Sequence, residues 1–179
     1  MTCGDLIDRF QVVGRINNYQ TDDYQNYIGS KTSIWFNGAN QGLHKRKSIP
    51  NKIIVFIPSI IQKKKSDCNK IIRSRLGIQN NEYHLIPIDK IQEYEKECNS
   101  DRLTTGTYSI LWAIEHYKEV YIYGFDFFID SKSHYYDNKL LSTLKNKGLI
   151  PKAKKHDMNK EKSYIDSLIH QGRLKVLDE

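Results

Sequence analysis

The sequence lacks the long apolar runs that mark membrane proteins. None approaches the roughly 18 consecutive apolar residues that a helix needs to span a bilayer. Residues 1–20 also lack the charged-then-apolar order of a signal peptide. No internal repeat or low-complexity tract interrupts the chain. These absences predict a soluble protein without a membrane-spanning helix.

Cysteine is scarce, with only Cys3, Cys68 and Cys98 in the sequence. An odd number of widely spaced cysteines provides neither a CxxC pair for zinc nor an even disulfide framework. Such usage favours a reducing compartment. The sequence has no Asp-x-Asp motif, and Asp126 and Asp130 are four residues apart in an aromatic loop, which makes a poor metal pair. These residues therefore contain no clear metal-binding motif.

Length and charge narrow the possibilities further. With 179 residues, of which 39% are hydrophobic, the chain is long enough for one buried core and short for two, so residues 1–179 are predicted to form a single domain. The formal net charge is +7, which suits either a solvated surface or attraction to an anionic donor, glycan or membrane surface. No nucleic-acid recognition motif accompanies it. The charge is concentrated in three short clusters: Lys45-Arg46-Lys47, Lys63-Lys64-Lys65, and Lys152 with Lys154 and Lys155.

Apolar runs of strand length alternate with helical patterns along the chain. Because the strand runs are continuously apolar, they predict a parallel sheet that is buried on both faces by helices, as in Rossmann-like α/β folds. The charged segment from Asp89 to Cys98 is predicted to be an exposed helix, and residues 59–76 are ambiguous because a lysine run interrupts a helical pattern. The predicted strands are Gln11–Asn17, Ser33–Asn37, Lys52–Ile57, Tyr83–Pro87, Val120–Tyr123 and Leu174–Leu177.

Two of these strands end on asparagine, at Asn17 and Asn37. The asparagine side chain offers an acceptor and two donors, which suits the edge of a base or the hydroxyls of a ribose. An asparagine that only caps a turn explains each position equally well. Both interpretations stay open at this point.

The segment from Asp101 to Asp137 carries the strongest pattern. Thr104, Thr105 and Gly106 precede an apolar helical repeat, so a helix begins at Thr104 or Thr105. Free N–H groups and the positive end of the helix dipole at such a start favour an anionic oxygen. The strand Val120–Tyr123 follows, and Gly124 ends it. Ligands bind at the carboxyl ends of strands in open α/β sheets, so this region is a predicted ligand site.

His156 is predicted to stand at the start of the last helix, whose apolar face contains Tyr164, Ile165, Leu168 and Ile169. Taken alone, a histidine in this place is more often a cap or a surface residue than a catalyst. The residue pattern by itself assigns it no chemistry.

These residues together resemble the family 29 sialyltransferases, and the bacterial family 42 enzymes share a related pattern. The segments Gly4–Phe10, Val13–Asn17 and Gly29–Thr32 are similar to the C-terminal half of the large sialylmotif. Thr104-Thr105-Gly106, the helix after it and Glu119–Asp126 resemble the small sialylmotif. His134-Tyr135-Tyr136-Asp137 resembles the third motif, and His156 followed by four residues and Glu161 resembles the final one.

The resemblance implies a function and a role for each matching residue. Both families transfer sialic acid from CMP-sialic acid to an acceptor glycan, with inversion and without a metal. The resemblance therefore implies that no metal ion or other cofactor is needed besides the donor substrate. Asn17 and Asn37 are then expected to contact the nucleotide, while Thr104, Thr105 and Gly106 hold the donor phosphate and the sialic acid carboxylate. His134, flanked by Tyr135 and Tyr136, is expected to bind the leaving phosphate, and His156 is the expected general base.

The sequence departs from the family pattern at several positions. Tyr117 stands where the animal enzymes have the second cysteine of a disulfide, which points to a bacterial or viral cytoplasmic enzyme. Phe128 replaces one tyrosine of the family 42 pattern, so the family 29 version is closer. The strand that leads into the Gly-Asn-Gly-Pro-Ser loop of these families has no counterpart, so we expect a sheet that lacks its first strand. An inactive nucleotide- or glycan-binding relative, or a gene fragment, is the alternative function.

Overall fold

The computed structural model describes residues 3–46, 48–64, 67–80, 82–125 and 157–177. The predicted strand and helix order is observed there, with shorter strands than expected. The strands are β1 (Gly14–Ile16), β2 (Ile34–Asn37), β3 (Ile53–Val55), β4 (His84–Leu85), β5 (Tyr121–Ile122) and β6 (Lys175–Val176). The helices are α1 (Cys3–Asp8), α2 (Gln25–Ile28), α3 (Ser59–Lys64), α4 (Cys68–Leu76), α5 (Ile88–Glu97), α6 (Thr105–His116) and α7 (Met158–His170).

The described strands are parallel to one another within two sheets. One has the order β1-β2-β3-β4, with Ile16 opposite Phe36 and Asn37 opposite Val55. The other consists of β5 and β6. Parallel pairing confirms the predicted α/β class, while the division into two sheets was not predicted. Whether the sheet lacks a first strand stays a prediction.

Successive residues of β2 and β3 point to opposite faces of the sheet, because the side chains of a strand alternate. Ile34, Phe36 and Ile54 pack with α5, α6 and α7, whereas Trp35 and Val55 pack with α4 on the other side. Helices therefore cover both faces, as predicted. The first core also contains Phe56, Ile91, Tyr94, Tyr108, Trp112, Ile165 and Leu168, and the second contains Ile53, Ile57, Ile72 and Leu76.

The ambiguous segment 59–76 contains two helices, α3 and α4. Asp67 is the N-cap of α4, where its carboxylate accepts a hydrogen bond from the Lys70 N–H at 2.9 Å. Gly77 ends the helix in the left-handed conformation with φ of 74°, which glycine adopts without a side-chain penalty. Lys63 and Lys64 lie in the last turn of α3, so these two lysines do not interrupt the helix.

The prediction that the Asp89–Cys98 helix is exposed was wrong. Its residues Ile91, Tyr94 and Glu95 are buried because they recur on the face of α5 that packs against the sheet. The Glu95 carboxylate accepts hydrogen bonds from the Ser59 N–H at 3.0 Å, the Ser59 hydroxyl at 2.5 Å and the Tyr108 hydroxyl at 2.7 Å. Burial, followed by the bond to Glu95, raises the pKa of Tyr108, so its phenol stays a donor.

Gly4 allows α1 to lie directly against α2. A Cβ at this position would be 1.9 Å from the carbonyl oxygen of Gln25, which belongs to the backbone and cannot rotate away. Gly4→Ala should therefore lower the free energy of unfolding by about 3 kcal/mol, the upper part of the usual range for overpacking. Urea denaturation of the two proteins measures the change. Gly42→Ala is the control, since no atom lies within 4 Å of a Cβ there, and equal losses in both variants would contradict this packing.

Candidate active site

The carboxyl ends of β1 and β2 bring Asn17 and Asn37 to the same edge of the sheet. Asn17 directly follows β1, and its N–H donates to the Phe36 carbonyl at 2.8 Å, one residue before Asn37. Both strands run in the same direction, so their last residues are neighbours. The structure thus brings together two residues that are 20 positions apart in the sequence.

Asn17 has the left-handed backbone conformation, with φ of 48°, which asparagine tolerates better than most residues. Its side-chain oxygen accepts from the Gly38 N–H at 3.0 Å, and its backbone carbonyl accepts from the Trp35 indole at 2.8 Å. The side chain therefore holds the turn that follows β2. Its amide NH₂ group makes no hydrogen bond to another described residue, so it is available to a ligand.

Asn37 is fully buried, and its side-chain oxygen accepts from the Ala39 N–H at 2.6 Å. Its amide nitrogen is buried without a hydrogen-bond partner among the described residues. Leaving such a donor unpaired costs about 1–3 kcal/mol. Both interpretations of the asparagines thus have a physical basis here: each oxygen caps a turn, and each amide nitrogen is left to bind something else.

Thr104 is the N-cap of α6. This confirms one of the two predicted helix starts, Thr104 and Thr105. Its hydroxyl accepts from the Thr107 N–H at 3.2 Å and donates to the Glu161 carboxylate at 2.8 Å. The Thr104 N–H also donates to Glu161, at 3.0 Å. Both polar groups of Thr104 are thus used inside the protein, and a bound anion would have to rely on the residues that follow.

Thr105 and Gly106 form the first turn of α6, where N–H groups have no partner within the helix. A Cβ on Gly38 would be 2.6 Å from the Thr105 hydroxyl oxygen, so the turn after β2 lies directly against this helix start. A Cβ on Gly106 would be 3.1 Å from the Phe125 ring. The close approach places Asn17, Asn37, Thr105 and Gly106 around one region at the carboxyl edge of the sheet.

Glu161 has a structural role that the sequence analysis did not assign to it, because it is fully buried between α7 and α6. Besides Thr104, the Thr107 hydroxyl donates to it at 2.5 Å. One signal was available, because Glu161 shares a helical face with Ile165 and Leu168, both of which are buried. A carboxylate on an apolar face indicates a buried polar partner elsewhere in the chain.

Four predicted site residues lie outside the described residues: His134, Tyr135, Tyr136 and His156. The same is true of Phe128 and of the Asp126 and Asp130 pair. Within the described ranges, no group of three or more His, Cys, Asp or Glu side chains could hold a metal ion.

An open groove of about 450 Å³ lies at the opposite edge of the sheet. Lys52, His84, Trp112 and His116 line it, at the amino ends of β3 and β4 and the last turns of α6. Ligands of open α/β sheets bind at the carboxyl edge, and none of the predicted site residues that the structure describes lines this groove. We therefore place the candidate site at the asparagine edge, which is the carboxyl edge of the sheet where Asn17 and Asn37 lie.

A parallel α/β sheet whose strand ends meet a helix N-terminus is an architecture that many nucleotide-binding proteins use. A family model described as glycosyltransferase family 29 (sialyltransferase) matches residues 1–173. The chain belongs to this family, which confirms the resemblance seen in the sequence. A search of curated protein sequences finds no match.

Two solved structures of a mammalian sialyltransferase share the fold. One is a complex with Gal-beta-1-3GalNAc-ortho-nitrophenol, with 17% identity and a TM-score of 0.67. The other has 18% identity and a TM-score of 0.67. Both comparisons cover 97% of this chain and 62% of the mammalian one, so the chain spans less than two thirds of that protein. The likeness confirms the predicted Rossmann-like α/β fold, in the GT-A-like form that sialyltransferases have.

No helix among the described residues is both long and apolar enough to cross a membrane. The cytoplasmic location and the contact with an anionic membrane surface stay predictions. Sedimentation with anionic and with neutral lipid vesicles tests the second of them, and equal binding to the two would contradict it.

Proposed function

We propose that this protein transfers sialic acid from CMP-sialic acid to a hydroxyl of an acceptor glycan, with inversion and without a metal ion. The family match through residue 173 supports the reaction class. The observation that carries the donor site is the meeting of Asn17, Asn37 and the start of α6 at one edge of the sheet. In this proposal the two asparagines contact the cytidine and ribose through their amide NH₂ groups, which have no partner among the described residues.

The start of α6 would bind the anionic part of the donor. Departure of CMP leaves an oxocarbenium-like sugar and adds negative charge to the phosphate. The N–H groups of Thr105 and Gly106, with the helix dipole, are fixed donors for such charge. His134 adds a further donor in the proposal. One well-placed donor is worth about 3–4 kcal/mol in the transition state.

His156 is the proposed general base, which takes the proton from the acceptor hydroxyl as that oxygen attacks the sugar. It comes one residue before Asp157, the N-cap of α7. A positioned base contributes about 10²–10⁴-fold to such reactions. Thr104, which we expected to contact the donor, would instead act through the carboxylate of Glu161.

Nucleotide binding tests the donor site. The parent chain should bind CMP more tightly than UMP, GMP or AMP, and Asn17→Ala should weaken CMP binding about tenfold, the value of one lost hydrogen bond. Isothermal titration calorimetry measures both effects. Asn51→Ala is the control, because Asn51 lies in the groove at the opposite edge.

Equal affinity for the four nucleotides would contradict the cytidine assignment, and equal losses in the two variants would contradict the role of Asn17. Release of CMP from CMP-sialic acid in the presence of galactose-terminated glycans tests the reaction itself. Gal-beta-1-3GalNAc belongs in that acceptor panel, since an analogue of it is bound in the mammalian structure.

A further inference from the structure

The carboxylate of Glu161 joins the first turns of two helices that are far apart in the sequence. One of its oxygens, Oε2, accepts hydrogen bonds from the Thr104 N–H at 3.0 Å, the Thr104 hydroxyl at 2.8 Å and the Thr107 hydroxyl at 2.5 Å. These donors belong to the N-cap and the first turn of α6. Glu161 itself is in the first turn of α7, where its N–H donates to the Asp157 carbonyl at 3.1 Å.

Hydrogen bonds from the start of α6 offset the cost of burying the Glu161 carboxylate. Glu161 is fully buried, which would be costly for a charge without partners. Three donors converge on one oxygen, and the positive end of the α6 dipole lies beside it. The contact is therefore a strong and directional link between the two helix starts, in contrast to loose apolar packing.

Both linked helix starts adjoin residues of the proposed reaction. Thr104 directly precedes Thr105 and Gly106, the proposed donor contacts, and Asp157 directly follows His156, the proposed base. We propose that Glu161 is a positioning residue, which holds the start of α7 in register with the donor-binding start of α6. This inference rests on the proposed function for the roles of Thr105, Gly106 and His156, and on the structure alone for the link itself.

The body of α7 has other contacts that should keep the helix in place when Glu161 is changed. The Tyr164 hydroxyl donates to Glu97 of α5 at 2.7 Å, and Ile165 and Leu168 are buried in the core. A change at Glu161 should therefore loosen the first turn and leave the rest of α7 packed. Misplacement of a reacting group by about 1 Å can cost about 100-fold in rate.

The first test compares Glu161→Ala and Glu161→Gln with the parent chain. Glu161→Ala should lower kcat about 100-fold, and Glu161→Gln, which keeps one accepting oxygen, should lower it less. KM for CMP-sialic acid and the dissociation constant of CMP should stay within about threefold, since the proposed nucleotide contacts are not moved. Amide hydrogen exchange should become faster in residues 158–161.

Glu95→Gln is the matched control. Glu95 is also a buried carboxylate with three donors, including the Tyr108 hydroxyl of α6, but it belongs to α5 and has no link to α7. The Glu95→Gln variant should have a lower thermal unfolding midpoint than the parent chain, and its kcat should stay within about threefold of the parent value. The decisive quantity is the loss of kcat relative to the loss of thermal stability in each variant. If this ratio is the same for Glu161→Gln and Glu95→Gln, Glu161 is only structural and the proposal is overturned.

Thr107→Val tests the link with a smaller change, because it removes one donor to Glu161 and keeps the buried shape. Thr107→Val should also lower kcat. In a double variant with Glu161→Ala, the two losses of kcat should not add, because both changes break the same link. Should the parent chain release no CMP from CMP-sialic acid, the proposed function fails, and hydrogen exchange still decides the link. Unchanged exchange of residues 158–161 in both the Glu161→Gln and Thr107→Val proteins would then overturn it.

Discussion

Replacing His156 with asparagine should reduce the turnover of sialic acid transfer about 10²–10⁴-fold, the usual contribution of a general base. Asparagine keeps the size and hydrogen bonding of histidine but has no basic nitrogen. An acceptor hydroxyl is a poor nucleophile until its proton is removed. Binding of CMP and of CMP-sialic acid should be nearly unchanged, because neither requires that proton transfer. Initial rates and calorimetry on the same preparations measure the two quantities.

The pH dependence adds a second readout for His156. The parent rate should fall on the acidic side as a group that must be neutral becomes protonated, and this limb should disappear from the residual activity of the variant. His116→Asn is the control: His116 stacks on Trp112, with the ring centroids 3.9 Å apart, at the opposite edge of the sheet. A His156→Asn protein with near-parent turnover would make His156 a helix cap.

Replacing His134 with alanine should reduce kcat about 10²–10³-fold, as the loss of one donor to a developing negative charge does elsewhere. The phosphate gains most of its extra charge as the bond to sialic acid breaks. A donor aimed at it therefore stabilises the transition state more than the bound substrate. KM for CMP-sialic acid should change by a much smaller factor, and steady-state kinetics separate the two parameters.

His44→Ala is a suitable control for His134, because His44 is exposed in the loop after β2. It should leave both kinetic parameters unchanged. A His134→Ala protein that loses donor affinity but keeps kcat would make His134 a contact of the ground state, and the charge on the leaving phosphate would then have to be met by Thr105 and Gly106 alone.

Much of the fold was predictable because local rules determine it. Continuous apolar runs marked the parallel strands, and the threonines before an apolar helical repeat marked the start of α6 at Thr104. The proximity of Asn17 and Asn37 was also predictable, since both end predicted parallel strands and such strands share a carboxyl edge. Family resemblance then gave these positions a chemical meaning that spacing alone did not.

The unpredicted features depend on contacts between distant parts of the chain. Glu95 bonds to Ser59, 36 residues away, and Glu161 bonds to Thr104, 57 residues away. Charge and hydropathy place a glutamate on the surface, and only its position on an apolar helical face indicates otherwise. For the same reason Thr104 was expected to contact a ligand, because its internal partner is remote in the sequence.

The tryptophans of this chain are placed as a natural pair of optical probes. Trp35 is fully buried, and its indole donates to the carbonyl of Asn17, the residue that also holds the turn after β2. Trp112, the second of the two tryptophans in the sequence, is near the amino ends of the strands, beside His116 and Lys52. A ligand that shifts Asn17 should change the indole hydrogen bond of Trp35 and so alter the emission of Trp35. Fluorescence of a Trp112→Phe protein would thus follow events at the asparagine edge without any added label.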